Sequence, residues 1–273
     1  MRKYCLIIGI VLLGCVIGGK VYGKSGVFLK YKWVEGRELS YETKSTINST
    51  TEMGEGMTQT SITFLRYKLK RRVDKVSGDT VVITVTYEEA EGTVETGAQT
   101  MPIPGLDELN GVKVTLTLRG TKVIDRDISE DLSPQVNAQV EGIISGIERD
   151  LDLLSGGGEI KPGGKWDVEY ESDGEQTRKH CTVEGFKEMD GLRCAKITCS
   201  SQIDIEQEKA QQGMEVKFTG KGKAEGVIYF AIKEGYKVYE KNSASIEGKV
   251  EIPAMSRSFN SYTDVAGEVK LIH

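Results

Sequence analysis

A two-residue alternation of apolar and polar side chains runs through most of the chain from residue 27 onward. The segments VFLKYKWV (27–34), ELSYETKSTI (38–47) and TVVITVTYEE (80–89) place every second residue on an apolar or aromatic face. This is the period of a β-strand with one buried side. Glycine-containing turns separate such segments, which favours antiparallel pairing of consecutive strands. The pattern predicts a mainly β fold (α+β) with about eleven antiparallel strands in curved meander sheets.

One segment follows a helical period instead. Ser133 and Pro134 are typical of an N-cap and a first helical position, and the glycines at 156–158 end the run. Between them, apolar residues recur at intervals of three and four: Val136, Val140, Ile143, Ile144, Ile147, Leu151 and Leu154. We expect a long helix over residues 133–154 whose apolar stripe packs against the sheet. A lid or a partner-binding helix is the alternative.

The composition excludes several functional classes. With 38% hydrophobic and 28% charged residues, the chain can form a sizeable core. Its formal net charge of -5 gives no electrostatic basis for binding nucleic acid. The 2 histidines, His180 and His273, are too few for a histidine-based metal site or a Ser-His-Asp triad. The sequence also has no GxSxG-type nucleophile motif, so we expect no enzymatic activity, no metal and no cofactor. A hydrolase of unrecognised type is the remaining alternative.

The N-terminal segment indicates where in the cell the chain is located. Cationic residues precede an apolar run over residues 4–19, which is shorter than the roughly 20 residues of a spanning helix and has the layout of a secretory signal. The sequence LLGC, ending at Cys15, resembles the lipobox of bacterial lipoproteins, in which the cysteine is acylated and becomes the first mature residue. We therefore expect residues 1–14 to be a signal peptide and Cys15 to carry a lipid anchor. Ordinary cleavage after Gly23 and an uncleaved anchor are the alternatives.

The rest of the chain divides into a tether and a large domain. Residues 15–26 are rich in glycine and are expected to form a flexible tether, and residues 27–273 form a β-rich envelope domain. Its stretches 27–128 and 160–273 are similar in length and flank the helix at 133–154, which leaves an internal duplication open. We expect the membrane to be a partner through the N-terminal lipid, with an outer-membrane or periplasm-facing location.

Three cysteines lie in the second half of the domain. A three-residue hairpin loop around Met189–Gly191 would set Cys181 opposite Cys199, with both on the apolar face. They form either a cross-strand disulfide or a pair of small buried apolar side chains, and the sequence leaves both interpretations open. Cys194 falls on the opposite, polar face and is left without a partner.

A basic cluster occupies residues 68–72. Alternation places Lys68, Lys70 and Arg72 on one face of a strand, whereas Arg71 shares the other face with Leu69 and Val73. A solvated surface is the expected role of these charges. Contact with anionic lipid headgroups, helped by the membrane anchor, is the alternative.

Four segments resemble a family of exported bacterial proteins of unknown function: LKYKWVEGRELSYETK (29–44), GVKVTLTLRGTKVIDRD (111–127), IKPGGKWDVEYES (160–172) and AEGVIYFAIKEGYKVYEKNSASIEG (224–248). The resemblance covers most of the mature chain. The architecture is also similar to that of the lipoprotein carriers of the outer-membrane sorting pathway. In those carriers a curved antiparallel sheet wraps a helix and holds acyl chains, so the resemblance implies a related half-barrel.

Together these observations predict an exported, lipid-anchored protein of the cell envelope that binds or carries a hydrophobic small molecule or lipid. The residues expected to line its pocket are Val140, Ile144, Ile147 and Leu151, on the apolar stripe of the helix. The alternative is a structural or interaction protein with a solid core and no ligand. A void beneath the helix would favour the carrier, and dense packing would favour the interaction protein.

Overall fold

The fold is seen in a computed structural model, which describes residues 26–53, 56–129, 132–154, 159–172, 174–211, 214–255 and 257–272. The predicted signal peptide, Cys15, Gly23 and all of the tether except Gly26 lie outside these residues.

The described residues form fourteen strands, one α-helix and two short 3₁₀ helices. The strands are β1 (Val27–Phe28), β2 (Glu38–Glu52), β3 (Thr58–Ser77), β4 (Thr80–Thr96), β5 (Gln99–Pro102), β6 (Lys113–Arg119), β7 (Lys122–Ile128), β8 (Glu159–Ile160), β9 (Lys165–Ser172), β10 (Glu175–Met189), β11 (Leu192–Gln211), β12 (Met214–Ala231), β13 (Tyr236–Ile252) and β14 (Arg257–Ile272). The helix α1 spans Pro134–Leu153, and the 3₁₀ helices span Leu106–Leu109 and Pro253–Met255. The prediction of a mainly β fold with one long helix is confirmed.

One antiparallel sheet contains nearly all of the strands. Its order is β7-β6-β4-β3-β2-β14-β13-β12-β11-β10-β9, and β5 adds to β4. The stretches 27–128 and 160–273 meet at its centre, where β2 pairs with β14 and Tyr41 lies opposite Leu271. The short strands β1 and β8 form a separate pair.

The buried core lies at one end of the long strands. In β12, for example, Ile228, Phe230 and Ala231 are buried, whereas the residues at 215–226 are partly or fully exposed. The long strands therefore continue beyond the core as a layer with solvent on both sides. The face of the sheet that carries the core is called the inner face below.

The helix α1 lies across the inner face from one edge of the sheet to the other. At the β7 edge, Arg126 pairs with Glu141 of the helix. At the β9 edge, Trp166 Nε1 donates to the carbonyl of Leu153 at 2.8 Å, and the Tyr170 hydroxyl donates to the carbonyl of Arg149 at 3.0 Å. The helix thus bridges the two edge strands of an open, curved sheet.

The helix packs into two apolar clusters on this face. In the first, its residues Val136, Val140, Ile144, Ile147 and Leu151 meet side chains of β3, β4 and β6. In the second, Leu153 and Leu154 meet β10, β11 and β12 around Phe230. Full burial of each large apolar side chain contributes about 1.5–3 kcal/mol, so these clusters hold the helix against the sheet.

The segment 27–34 departs from the strand that its alternation predicts. Only Val27–Phe28 is a strand, paired with Glu159–Ile160. Beyond it, the alternate residues Leu29, Tyr31 and Trp33 still pack inward, and Tyr31 contacts both apolar clusters. Residues 29–34 keep the alternating pattern of a strand, but in the described part of the chain no strand pairs with them.

The cysteine hairpin turns more tightly than predicted. Its loop has two residues, Asp190 and Gly191, both with positive φ, instead of three. A register shift between Val183 and Gly185 compensates for the shorter loop and sets Cys181 opposite Cys199. The two sulfurs form a disulfide with an S–S distance of 2.06 Å.

Cys194 is a free cysteine on the face opposite to the disulfide, as predicted, but that face is not polar at this point. Cys194 is fully buried in a small apolar cluster with Ala231 and Val238, capped by Tyr229 and Tyr236. Burial raises the pKa of the Cys194 thiol to about 11. The prediction that Cys194 lies on a polar face was therefore wrong, because aromatic and apolar residues of β12 and β13 cover this end of the outer face.

Buried tyrosines should make the fold sensitive to alkali. Burial raises the pKa of seven described tyrosines above the model-compound value of 10.0: Tyr31, Tyr41, Tyr67, Tyr87, Tyr170, Tyr236 and Tyr239. A raised folded-state pKa stabilises the fold below the unfolded pKa, and this contribution is lost as the pH rises above about 10, by about 1.4 kcal/mol per pKa unit and per group.

We therefore expect cooperative unfolding in strong alkali, with tyrosinate absorbance and β-sheet circular dichroism changing together. Tyrosine ionisation that is complete near the model-compound pKa, with the circular dichroism unchanged, would contradict this expectation.

Candidate functional site

A cavity of about 340 Å³ lies between α1 and the middle strands of the sheet. From the helix it is lined by Gly142, Ile143, Gly146, Ile147, Arg149 and Asp150. From the sheet it is lined by Tyr41, Thr43, Tyr67, Leu69, Arg71, Lys179, Lys237, Glu240, Asn242 and Val269. A Cβ atom built on Gly142 or Gly146 would have no atom of a neighbouring element within 4 Å. The two helix glycines therefore leave space that larger residues would fill.

The hollow continues along the inner face toward β9. A second cavity of about 260 Å³ shares five lining residues with the first: Arg149, Asp150, Lys179, Glu240 and Asn242. Its further walls include the apolar or small residues Ile203, Ala224, Gly226, Ile228, Ala244 and Val265. Ligand pockets typically measure about 300–1,000 Å³, so the joined hollow is large enough for a small amphiphile.

The structure places the four predicted pocket residues in two different environments. Ile147 lines the first cavity. Val140, Ile144 and Leu151 are instead buried in the first apolar cluster, at 0%, 5% and 2% exposure. The cavity is lined by the adjacent face of the helix, which carries the glycines. The apolar stripe of α1 is the face that packs against the sheet. The hollow forms beside this face, where the helix carries glycines in place of larger side chains.

A buried ion cluster stands at the junction of the two cavities. Lys237 Nζ lies 2.5 Å from Asp150 Oδ2 and 2.6 Å from Glu240 Oε2. Burial alone lowers the pKa of the Lys237 ammonium, but the two carboxylates outweigh it and hold the pKa well above its usual value. Lys237 is thus a permanent cation that joins the helix to β13.

A second amine, Lys179, faces the same hollow from β10. Burial lowers its pKa, and the negative charges of Glu240 and Asp150 only partly oppose this effect. No carboxylate among the described residues lies within ion-pair distance of Lys179. The charged form of Lys179 is therefore only partly compensated by the nearby carboxylates.

A third cation, Arg71, lies on the wall beside β2. Its guanidinium carbon is 5.6 Å from the centre of the Tyr41 ring, a cation–π contact, and within the described part of the chain it has no ion-pair partner. The Tyr41 hydroxyl is enclosed and makes no hydrogen bond there. Burial raises the pKa of Tyr41, while Arg71 opposes this shift. An unsatisfied O–H donor and an unpaired guanidinium thus share one wall.

Sequence reasoning missed Lys179, Lys237 and Glu240 as site residues. One visible signal pointed to Arg71, because the alternation places it on the face of Leu69 and Val73. No local signal marked Lys237, since a register shift in the β12–β13 ladder decides which way it faces.

Two broader depressions lie on the outer face of the sheet. They measure about 790 and 740 Å³ and are lined mostly by charged and polar residues. On the wall of one of them, the exposed side chains of His180 and Asp167 are hydrogen-bonded, with Nδ1 and Oδ1 2.6 Å apart. Both depressions are more open to solvent than the hollow beneath the helix, so a ligand bound there would bury less of its apolar surface.

The described residues contain no cluster of three or more histidine, cysteine or carboxylate side chains arranged to hold a metal ion. In the same part of the chain, no helix has the length and apolar character needed to cross a membrane.

Comparison with known proteins identifies a fold but no family. No family model matches the sequence, and no curated protein matches it. Lipovitellin, in a structure concerned with lipid–protein interactions, aligns with a TM-score of 0.53 and 11% identity over 89% of this chain and 26% of the lipovitellin chain. This chain therefore spans about a quarter of lipovitellin.

A protein of Bacteroides fragilis described as exported, with a YmcC-like fold, aligns over 87% of this chain and 96% of its own, at 13% identity. Its TM-score of 0.20 is too low to establish a common fold. The chain is thus similar to lipovitellin in its β-rich fold.

Proposed function

We propose that the protein is a binding or carrier module of the cell envelope whose ligand is a hydrophobic small molecule or lipid. The observation that carries this proposal is the hollow between α1 and the sheet, which the glycine face of the helix leaves open. A protein with a solid core would pack a side chain at Gly146, which is only partly exposed and lines the cavity. The protein acts by holding its ligand and does no chemistry on it.

The chemistry of the second cavity supports an apolar occupant. Small residues at Ala224, Gly226 and Ala244 bring the ligand close to the backbone of the sheet, and Ile203, Ile228 and Val265 supply apolar contact. Burying apolar surface contributes about 25 cal/mol per Å². A hydrocarbon chain laid along these residues would therefore gain most of its binding energy here.

The fold is compatible with this role. The lipovitellin structure that resembles the chain concerns lipid–protein interactions. At 11% identity and with a quarter of lipovitellin covered, the likeness supports only a β-rich fold.

Export and anchoring complete the proposal. The Cys181–Cys199 disulfide is typical of proteins that fold in an oxidising compartment. The N-terminal segment has the layout of a secretory signal, and its LLGC sequence supports lipidation of Cys15. A lipid-anchored carrier facing the periplasm would meet its ligand at the membrane surface.

Filling the cavity from the helix tests the proposal. The full chain is produced in a bacterium that exports it, washed free of detergent and extracted for lipid mass spectrometry. We expect the wild type to retain a lipid in near-stoichiometric amount and the Gly146→Phe variant to retain about tenfold less. Gly146→Ala should keep the ligand and gain up to about 1 kcal/mol of stability, because alanine is the better helix former.

The control is Asn137→Phe, which adds the same aromatic group at an exposed position of the helix outside the cavity walls. It should retain as much lipid as the wild type. A wild type that carries no lipid, and takes none up from an envelope extract, would refute the carrier proposal and favour an interaction protein.

A further inference from the structure

Resting on the proposed function, we infer that the ligand is an amphiphile with an anionic head, a carboxylate or a phosphate, and that Arg71 holds this head against the wall formed by Tyr41. The hydrocarbon part then lies in the second cavity. The inference concerns the class of ligand, and it depends on how charge is distributed around the hollow.

Eight charged residues line the hollow. The cations are Arg71, Arg149, Lys179 and Lys237, and the carboxylates are Asp150, Glu175, Glu225 and Glu240. Glu225 alternates with the cavity residues Ala224 and Gly226, is exposed and also lines a depression on the outer face, so the side chains of the other seven face the hollow. They come from α1, β3, β10 and β13, which are the elements that enclose the hollow on its charged side. One cation is therefore in excess when all seven are ionised.

The pairing among these groups locates the excess. Lys237 engages both Asp150 and Glu240, and Arg149 lies 3.5 Å from Glu175. Lys179, like Arg71, has no carboxylate within ion-pair distance among the described residues, but it lies near the Lys237 cluster, where two carboxylates share one cation and favour the charged form of Lys179. The guanidinium of Arg71 has only the Tyr41 ring as a described partner. Arg71, at the β3 side of the first cavity, is therefore the cation with the least compensation.

The hydroxyl of Tyr41 is the second, independent observation. The Tyr41 side chain is 4% exposed and belongs to the cavity wall, yet its hydroxyl has no hydrogen-bond partner among the described residues. An enclosed donor left unpaired is costly. An oxyanion placed beside the guanidinium would be an acceptor for both groups, and charge-assisted bonds to arginine are among the strongest available.

The same arrangement disfavours other ligands. A cationic head would meet an excess of positive charge, and a neutral head would leave Arg71 unpaired in a cavity from which the ligand has expelled water. Carboxylate and phosphate oxygens are acceptors with full negative charge, which is what these donors need.

The test compares ligands that differ only in their heads. Full-length protein is immobilised on beads, washed free of detergent and titrated with radiolabelled palmitate, hexadecyl phosphate or the neutral hexadecanol. We expect the wild type to bind the two anionic ligands about tenfold more tightly than hexadecanol. In Arg71→Gln this preference should fall to about one, because only anion binding weakens.

Arg72→Gln is the matched control. Arg72 is the next residue on β3 but lies on the outer face, exposed and paired with Asp74. It should keep the full preference for an anionic head. Tyr41→Phe should weaken anion binding several-fold and leave hexadecanol binding unchanged.

Each outcome separates the two proposals. Equal binding of palmitate and hexadecanol by the wild type, or a preference that survives in Arg71→Gln, would overturn the anionic head and leave the carrier function standing. Binding of none of the long-chain ligands would overturn the carrier function itself. If inorganic phosphate alone displaced palmitate from Arg71 and bound equally well, the site would be one for a free anion, and the amphiphile assignment would be wrong.

Discussion

Replacing Lys237 with methionine is expected to lower the free energy of unfolding by about 3–5 kcal/mol, the cost typical of removing one partner from a buried ion pair. The substitution keeps the length of the side chain but leaves Asp150 and Glu240 facing each other without their cation. The side chains of Lys237, Glu240 and Asp150 are only 10%, 13% and 25% exposed, so water replaces little of the lost interaction. Urea unfolding followed by tryptophan fluorescence measures the loss.

The matched control is Lys241→Met on the same strand. Lys241 is exposed on the outer face, and its replacement should change stability by less than about 0.5 kcal/mol. Equal stability of the two variants at neutral pH would show that the ion cluster contributes nothing to the fold.

Truncating Phe230 to alanine is expected to destabilise the protein by about 3–5 kcal/mol. The Phe230 ring is fully buried in the second apolar cluster, where its edge meets Tyr31 at a centroid distance of 5.3 Å. Because Tyr31 contacts both clusters, the cavity left by the ring would loosen the segment that connects them. Thermal and urea unfolding of Phe230→Ala give the magnitude.

Phe64→Ala provides the comparison for this variant. Phe64 belongs to the same sheet but is 41% exposed, so its truncation should cost about 1 kcal/mol or less. A similar loss for both variants would mean that Phe230 is not the centre of a packed cluster. A loss at Phe230 that is accompanied by a lower near-ultraviolet circular dichroism of the tyrosines would support the contact with Tyr31.

Local patterns in the sequence were sufficient for most elements of this fold, although only Val27–Phe28 of the strand expected at 27–34 is formed. The helix was expected over 133–154 and spans Pro134–Leu153, since caps and apolar period are set by neighbours along the chain. Cross-strand proximity of Cys181 and Cys199 also followed from one hairpin. The loop length in that hairpin was wrong, and the bulge that compensated for it cannot be seen in an alternating pattern.

The candidate site was harder to predict because it depends on register. In the β12–β13 pair, Tyr239 lies opposite Tyr229, but Lys237 lies opposite Phe230. Because of this register shift, the consecutive residues Val238 and Tyr239 both lie on the outer face, and Lys237 and Glu240 on either side of them both point to the inner face. Simple alternation from Glu240 would have placed Lys237 outside, so the ion cluster could not be read from the spacing of its residues.

The position of the hollow depends on the glycines of α1 and not on strand register. Apolar residues on α1 mark the face that packs, and the glycines beside them mark where the hollow lies. A glycine in a helix can serve several purposes, and the sequence does not show which one applies. The open space around Gly142 and Gly146 in the structure shows that these glycines border the hollow. Arg71 was correctly placed on the inner face, but its lack of a partner is a property of the whole site.

The pairing of β2 with β14 at the centre of the sheet has a kinetic consequence. The strands on either side of this ladder are built from hairpins and can form early, but the ladder itself joins the first long strand to the last one. Contacts so distant along the chain form slowly. Until they form, β2 and β14 are unpaired edges that can associate with other chains. Folding can therefore be completed only after the last strand has been synthesised, and the chain needs protection from aggregation until then.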